Sequence, residues 1–467
     1  MNNWWNKAGV WLGAWLVINL LQSLATPLAD DEAYYWIFSL HPDWGYFNHP
    51  PFVGWMIAFF RTVIEGAMAV RLPTILLSTA GIWLTYKVVQ PQKTALFFLI
   101  LGSMVIAHVL GFVTTPDVPL FFFTALYFYL LAQYLKRDHW SLALSLGLTV
   151  ALMGYSKYQG ILVVVFSLLP LLFLLRRWSF WMAILVAAIA FFPHFYWQYS
   201  HDFATFRFHL MERMPESWKW HFPLDYLGGQ LLVFGPFVSI PVLWAVFKAK
   251  RKNHLHQSAF WTVTGTLAFF FLMSFKGRTE ANWTSFLIAP LMICTQVFFE
   301  NKQKWQWWIK RLGFVSLISL AAVRLILAFN LIPGLKTPFE DKSSWAQTIA
   351  DKAGDRPVVF YSSYQPVSNY MFHTGKEGFL ISMDRNSGSQ FVMWPDWERS
   401  LQGREVLNIC NGWVNCPDSM LIEGQQQAYR FVDNWRSYNY LKIDALDLPD
   451  KMDPGDSLEV ALTLTNP

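Results

Sequence analysis

Charge is scarce in this chain. Only 14% of its 467 residues are charged, against 54% hydrophobic and 18% aromatic. A soluble domain carries roughly 25% charged residues, so the composition excludes an ordinary soluble protein and predicts a polytopic membrane protein. Cysteine is scarcer still. Three residues, Cys294, Cys410 and Cys416, cannot build a disulfide scaffold or a cysteine-rich metal module. There is no HExxH or comparable ligand spacing, so no metal is indicated. Nor is there a Walker-type loop or a GxGxxG after a strand, so no nucleotide cofactor is expected. The first apolar run lacks a small-residue cleavage site and reads as an anchor. The net charge of +5 is spread over short clusters, which argues against a nucleic-acid partner.

What is present is a succession of apolar runs. A hydrocarbon core about 30 Å thick needs roughly 17–25 apolar residues per helix. Candidate spans fall near 8–28, 69–89, 94–113, 118–135, 141–156, 160–175, 179–198, 224–247, 258–275, 283–299 and 308–330. The runs near 50–66 and 141–175 are ambiguous, so the expectation is an all-α domain of about eleven to thirteen membrane helices over residues 1–332. The stretch 33–66 reads as one or two amphipathic helices along the membrane surface. Alternate connections carry the basic residues: Lys87 and Lys93; Lys136 and Arg137; Arg176 and Arg177; Lys248 to Lys252; Lys302 to Arg311. By the positive-inside rule these face the cytoplasm together with the N-terminus. The other connections and the C-terminus then lie on the outer side.

Residues 333–467 are a different material. Charged and apolar residues mix, and short runs such as VVFY (Val358 to Tyr361) and LEVALTL (Leu458 to Leu464) read as strands. The expectation is a small extracytoplasmic α/β or β-rich domain. In an oxidising compartment Cys410 and Cys416, in CNGWVNC, pair as a disulfide; two unpaired buried thiols are the other reading.

The outer connections hold the chemistry-bearing residues. Asp30, Asp31 and Glu32 form one acidic cluster ahead of a helix-like run. Helix capping needs one of them, whereas three carboxylates repel one another, which points to Asp31 as a general base near an acceptor. Tyr34, Tyr35, Trp36 and Trp44 fit an interfacial aromatic belt or the lining of a cavity. Asp117, flanked by Pro116 and Pro119, is a carboxylate at the head of a span, either a helix cap or a held functional acid. Lys157 stands alone between apolar runs, and Lys276 and Arg278 stand beside Glu280 and Asn282. Such cations snorkel to the interface or, gathered at one mouth, bind a phosphate. The segment 193–213 adds His194, Arg207, His209 and Arg213, an ordinary surface helix or a loop over the cavity.

Five motifs in order carry a resemblance: ADDEAYYW with YFNHPP, then TPDVPL, SKYQG and RTEANW. Together they resemble the bacterial family 39 glycosyltransferases. These have the GT-C fold and are relatives of protein O-mannosyltransferases and of the aminoarabinose transferases that modify lipid A. The segment Pro193 to Leu210 is similar to the family's long outer loop, and SGSQFVMW (Ser387 to Trp394) to a tail motif. The resemblance implies catalytic roles for Asp31, Glu32 and Asp117, with Asp30 as an additional carboxylate. It implies a donor-phosphate region at Lys157, Lys276, Arg278 and Asn282, and a substrate cavity near Tyr34, Tyr35, His49, His194, Arg213 and Glu280. The implied donor is a polyprenyl (undecaprenyl) phosphate sugar. The implied acceptor is an envelope glycolipid such as lipid A, a polysaccharide or, alternatively, a protein hydroxyl. The expected location is the bacterial inner membrane with the active site outside. A transporter is the rival class, disfavoured because the charges gather at one mouth. Thr284 stands where many relatives have proline.

Overall fold

A computed structural model describes residues 7–209, 218–251, 253–332, 334–361, 363–381, 388–394, 396–410, 416–436, 442–446 and 461–465. The chain divides into two compact units, Met1–Asp341 and Lys342–Pro467.

The first unit is helical. Its elements are α1 (Ala8–Ala25), α2 (Asp30–Leu40), α3 (Phe52–Arg61), α4 (Gly66–Val89), α5 (Thr94–Gly102), α6 (Val105–Phe112), α7 (Asp117–Lys136) and α8 (Trp140–Ser156). They continue as α9 (Gly160–Leu168), α10 (Trp178–Ser200), α11 (Ala204–Arg207), α12 (Phe222–Val233), α13 (Ser239–Lys248), α14 (His254–Met273), α15 (Ile288–Asn301) and α16 (Gln303–Phe329). The spans read from the sequence fall largely on helix, but the run near 224–247 is broken at 234–238 into α12 and α13. Among the described residues six helices are long and apolar enough to cross a membrane singly, or up to seven if the bent pair α5–α6 is one span. The run near 94–113 is that pair, bent by 83° at Ser103–Met104. The Ser103 carbonyl freed there accepts from the Ser316 hydroxyl at 2.7 Å, which satisfies a buried polar group at the break. The expected surface segment is two helices, α2 and α3, of 11 and 10 residues, each too short to cross.

Helices α4, α7 and α15 supply much of the packed interior, with Ile82, Phe121, Phe128, Leu131, Leu291 and Phe299 all nearly inaccessible. By contrast α1, α10 and α16 are largely exposed and apolar, the character of lipid-facing helices. Connections sort into two sets. At one end Lys93 donates its backbone N–H to Glu300 at 2.9 Å, and Arg177 pairs with Asp138 at 3.8 Å. At the other end the Thr114 N–H donates to Glu32 Oε1 at 2.9 Å. The 24-residue α4 joins these ends, a span of roughly 36 Å at 1.5 Å per residue. The Lys93–Glu300 and Thr114–Glu32 contacts therefore lie toward opposite ends of α4.

The second unit is α/β. A five-stranded sheet has the order β2-β1-β3-β5-β4, built from Gly378–Ile381, Val358–Tyr361, Val406–Ile409, Gln425–Val432 and Asp418–Ile422. β1 runs parallel to β2 and β3, while β5 is antiparallel to β3 and β4. Helices α17 (Ser343–Ala353) and α18 (Tyr364–Thr374) join it, and Lys442–Leu446 pairs antiparallel with Ala461–Thr465. A disulfide links Cys410 and Cys416, and Cys294 is a buried free thiol in α15 of the first unit.

Candidate functional site

The acidic cluster opens α2, and helical geometry divides its labour. Successive residues on a helix point about 100° apart, so neighbours can meet different environments. Asp31 is exposed, Asp30 is half-exposed, and Glu32 is wholly buried. Glu32, third in the helix, accepts from the Ala29 N–H at 2.9 Å and so caps α2. Its two oxygens also take Arg71 Nε at 3.0 and 3.2 Å and Arg71 Nη2 at 2.6 Å. Arg71 spends its remaining hydrogens on the carbonyls of Ser23, Thr26 and Pro27. With the Thr114 bond, Glu32 has no lone pair facing solvent. It ties α1, α2, α4 and the head of α7 together, a supporting role and not a reacting one.

Asp117 opens α7 at that same end and is similarly occupied. Its Oδ1 accepts from Lys157 Nζ at 2.9 Å and from the Ser285 hydroxyl at 2.6 Å. Its Oδ2 accepts from Lys157 Nζ at 2.9 Å and from Asn282 Nδ2 at 3.2 Å. A carboxylate offers about four lone-pair positions, and these donors fill them. Asp117 is therefore an organiser that holds α8, α7 and the 281–287 turn in register. Lys157 gives two ammonium hydrogens to it, leaving one for any other acceptor. Ser285 escaped the sequence reading because it lies beyond RTEANW. Ser285→Ala should lower stability by about 2 kcal/mol, since a buried bond to a charged acceptor is lost; thermal unfolding of the purified protein checks this.

Lys276 and Arg278 remain exposed, Arg278 pairing loosely with half-exposed Glu280 at 3.3 Å. Asn282 is exposed while bonded to Asp117, so this turn reaches from the Asp117 cluster to solvent. Thr284, in place of proline, donates to Gln230 Oε1 of α12 at 2.6 Å. Its hydroxyl supplies a tether that proline lacks.

The aromatic tract 41–50 is clamped into a fixed loop. Tyr46 stacks on Phe38 at 4.1 Å and donates to the Phe38 carbonyl at 2.9 Å. Burial pushes its phenol well above the usual value, so it stays a donor. Trp197 Nε1 donates to Asp43 at 2.8 Å, Thr205 to the Tyr46 carbonyl at 2.8 Å, and His209 Nε2 bonds the Asn48 carbonyl at 3.0 Å. His194 is wholly buried. Its Nδ1 meets the Trp44 carbonyl at 2.6 Å and must donate, because a carbonyl only accepts; the Tyr158 hydroxyl then donates to Nε2 at 2.8 Å. His194 thus supports the loop. Tyr34 and Tyr35 are likewise buried, Tyr34 edge-on to Phe38 and Tyr35 edge-on to half-buried His49. They pack between α2 and its loop. Arg213 lies outside the described residues. Among the described residues no group of three or more His, Cys, Asp or Glu side chains could hold a metal.

Comparison with known proteins agrees with this geometry. Residues 48–197 match the dolichyl-phosphate-mannose-protein mannosyltransferase family model, a segment that contains Asp117, Lys157 and His194 but begins after Asp31. The lipid A galacturonosyltransferase RgtD of Rhizobium johnstonii is 28% identical over 288 residues, covering 58% of this chain and 60% of that protein. The chain thus spans about three-fifths of the curated relative it matches. Crystal structures of ArnT from Cupriavidus metallidurans, apo and bound to undecaprenyl phosphate, superpose with a TM-score of 0.65 at 14% identity, covering 90% of this chain and 97% of ArnT. The chain therefore has the fold of ArnT, the GT-C fold its ordered motifs implied, and in sequence it is similar to the glycosyltransferases those motifs resemble.

Proposed function

We propose that the protein is an inverting glycosyltransferase that moves a sugar from a polyprenyl phosphate to an envelope acceptor. The observation that carries this reading is a division among the carboxylates at one end of the helical unit. Glu32 and Asp117 are buried and saturated by donors, while Asp31, next to Glu32 in sequence, is exposed to solvent. Asp31 takes the proton of an acceptor hydroxyl as its oxygen bonds the anomeric carbon. The bond from that carbon to the phosphate oxygen breaks on the opposite face, and the lipid phosphate leaves with the electron pair. A phosphate needs no acid once cations offset its charge. The exposed Lys276 and Arg278 suit that task better than Lys157, most of whose donors are committed. Asp30 adds a second partly exposed carboxylate nearby.

Lipid A is the favoured acceptor, because the curated relative is a lipid A galacturonosyltransferase. A protein hydroxyl is the second reading, favoured by the matched mannosyltransferase family. The setting is the bacterial inner membrane, with the acidic end outside and the basic connections in the cytoplasm. The test is direct: purified protein given a polyprenyl phosphate sugar and lipid A should release free lipid phosphate and yield glycosylated lipid A. Absence of turnover with every lipid-phosphate sugar and acceptor class tried would remove the assignment. Arg278→Ala should raise the KM for the donor about tenfold with little change in kcat, as loss of one charge-assisted contact implies. Steady-state kinetics in donor concentration would read it, and an effect confined to acceptor KM would contradict the role.

A further inference from the structure

Two buried arginines lie against the same ring, Phe112, with their guanidinium carbons 5.6 Å (Arg71) and 5.3 Å (Arg324) from its centroid. They differ in what answers their charge. Arg71 has Glu32 and three carbonyls. Arg324, on α16, is 8% exposed, and among the described residues no carboxylate pairs with it. Its Nη2 donates to Asn19 Oδ1 at 2.7 Å and to the His108 carbonyl at 3.3 Å, but Nε and Nη1 are buried without partners.

Two further orphans surround it. Trp15 Nε1 of α1 and His108 Nδ1 of α6 are buried and unpartnered, their rings 5.4 Å apart, with the Arg324 guanidinium 6.0 Å from the Trp15 ring. His108 Nε2 meets the Gly102 carbonyl at 2.7 Å and so carries the proton, leaving Nδ1 as an acceptor. Three unpartnered N–H donors and one acceptor thus gather about an uncompensated cation. Burying such a charge in an apolar bundle is costly, and an anion sharing the site would offset that cost. The site lies about 8 Å from the C-terminal end of α16 at 1.5 Å per residue. Ile18 and Leu21 of α1 and Val323 and Leu325 of α16 are exposed around it, so its surroundings are lipid.

We propose that Arg324, Trp15 and His108 form an anion site, separate from the Asp117 cluster, that takes the phosphate of a membrane lipid at the seam of α1 and α16. Phosphate oxygens accept from Arg324 and Trp15, and a protonated phosphate oxygen or headgroup hydroxyl donates to His108. The inference does not depend on the transfer reading. Native mass spectrometry and thermal unfolding of the full chain in detergent test it, with undecaprenyl phosphate, phosphatidylglycerol and inorganic phosphate as probes. The expected result is one tightly held phospholipid that raises the unfolding temperature. Arg324→Gln should weaken its binding roughly ten- to a hundredfold and abolish the shift, and Arg324→Lys should do so partly. If only undecaprenyl phosphate binding falls, the occupant is the carrier lipid; if phosphatidylglycerol binding falls, it is a bulk phospholipid. Equal binding of both lipids by wild type and Arg324→Gln overturns the site, as does binding of inorganic phosphate alone. Asp31→Asn leaves lipid retention unchanged, so this inference and the transfer reading fail separately.

Discussion

Asp31→Asn should lower sugar transfer by about 10²–10⁴-fold, the usual contribution of a general base. The substitution keeps size and shape while removing proton affinity. Asp31 is exposed, so stability should change by no more than about 0.5 kcal/mol. The assay is release of free lipid phosphate from a polyprenyl phosphate sugar, read beside the unfolding temperature of the same preparation. Asp30→Asn serves as the comparison and should fall far less. Equal activity in wild type and Asp31→Asn would move the base elsewhere, and Asp30 would be the next candidate.

Arg71→Leu should cost about 3–5 kcal/mol, because it leaves the wholly buried Glu32 carboxylate without its cation. The loss extends to the carbonyls of Ser23, Thr26 and Pro27, which exchange a charged donor for nothing. The expected result is poor yield of folded protein and a clearly lower unfolding temperature. Combining it with Glu32→Gln removes the stranded charge and should recover part of the loss. Such recovery would distinguish an electrostatic fault from simple misfit at α4. If Arg71→Leu unfolds as wild type does, the pair is not what holds the heads of α2 and α7 together.

Much of the architecture was readable because it is local. The apolar run of α1, the Pro–Pro stop before α3 and the basic clusters at the helix ends each act within about twenty residues. VVFY became a strand because a β-branched, apolar tetrapeptide fits the middle of a covered sheet. The site was readable only as a set of candidates. Glu32 meets Thr114 across 82 positions, and Asp117 meets Ser285 across 168. No spacing rule reaches so far. Arg71 and Arg324 did offer a signal, each a lone cation inside an apolar run, where a charge is expensive enough to demand a partner.

The order of motifs and the apolar runs pointed, without coordinates, to a helical membrane unit followed in sequence by an α/β or β-rich unit. The tertiary structure alone decided which acids are buried against donors and which is exposed. Helix α2 turns Glu32 inward to Arg71 and Asp31 outward, and α7 presents Asp117 to donors from α8 and the 281–287 turn. Hydrogen bonding inside a low-dielectric bundle is all or nothing, so carboxylates that found buried donors became structure. Asp31, on the same helix as Glu32, is turned to water.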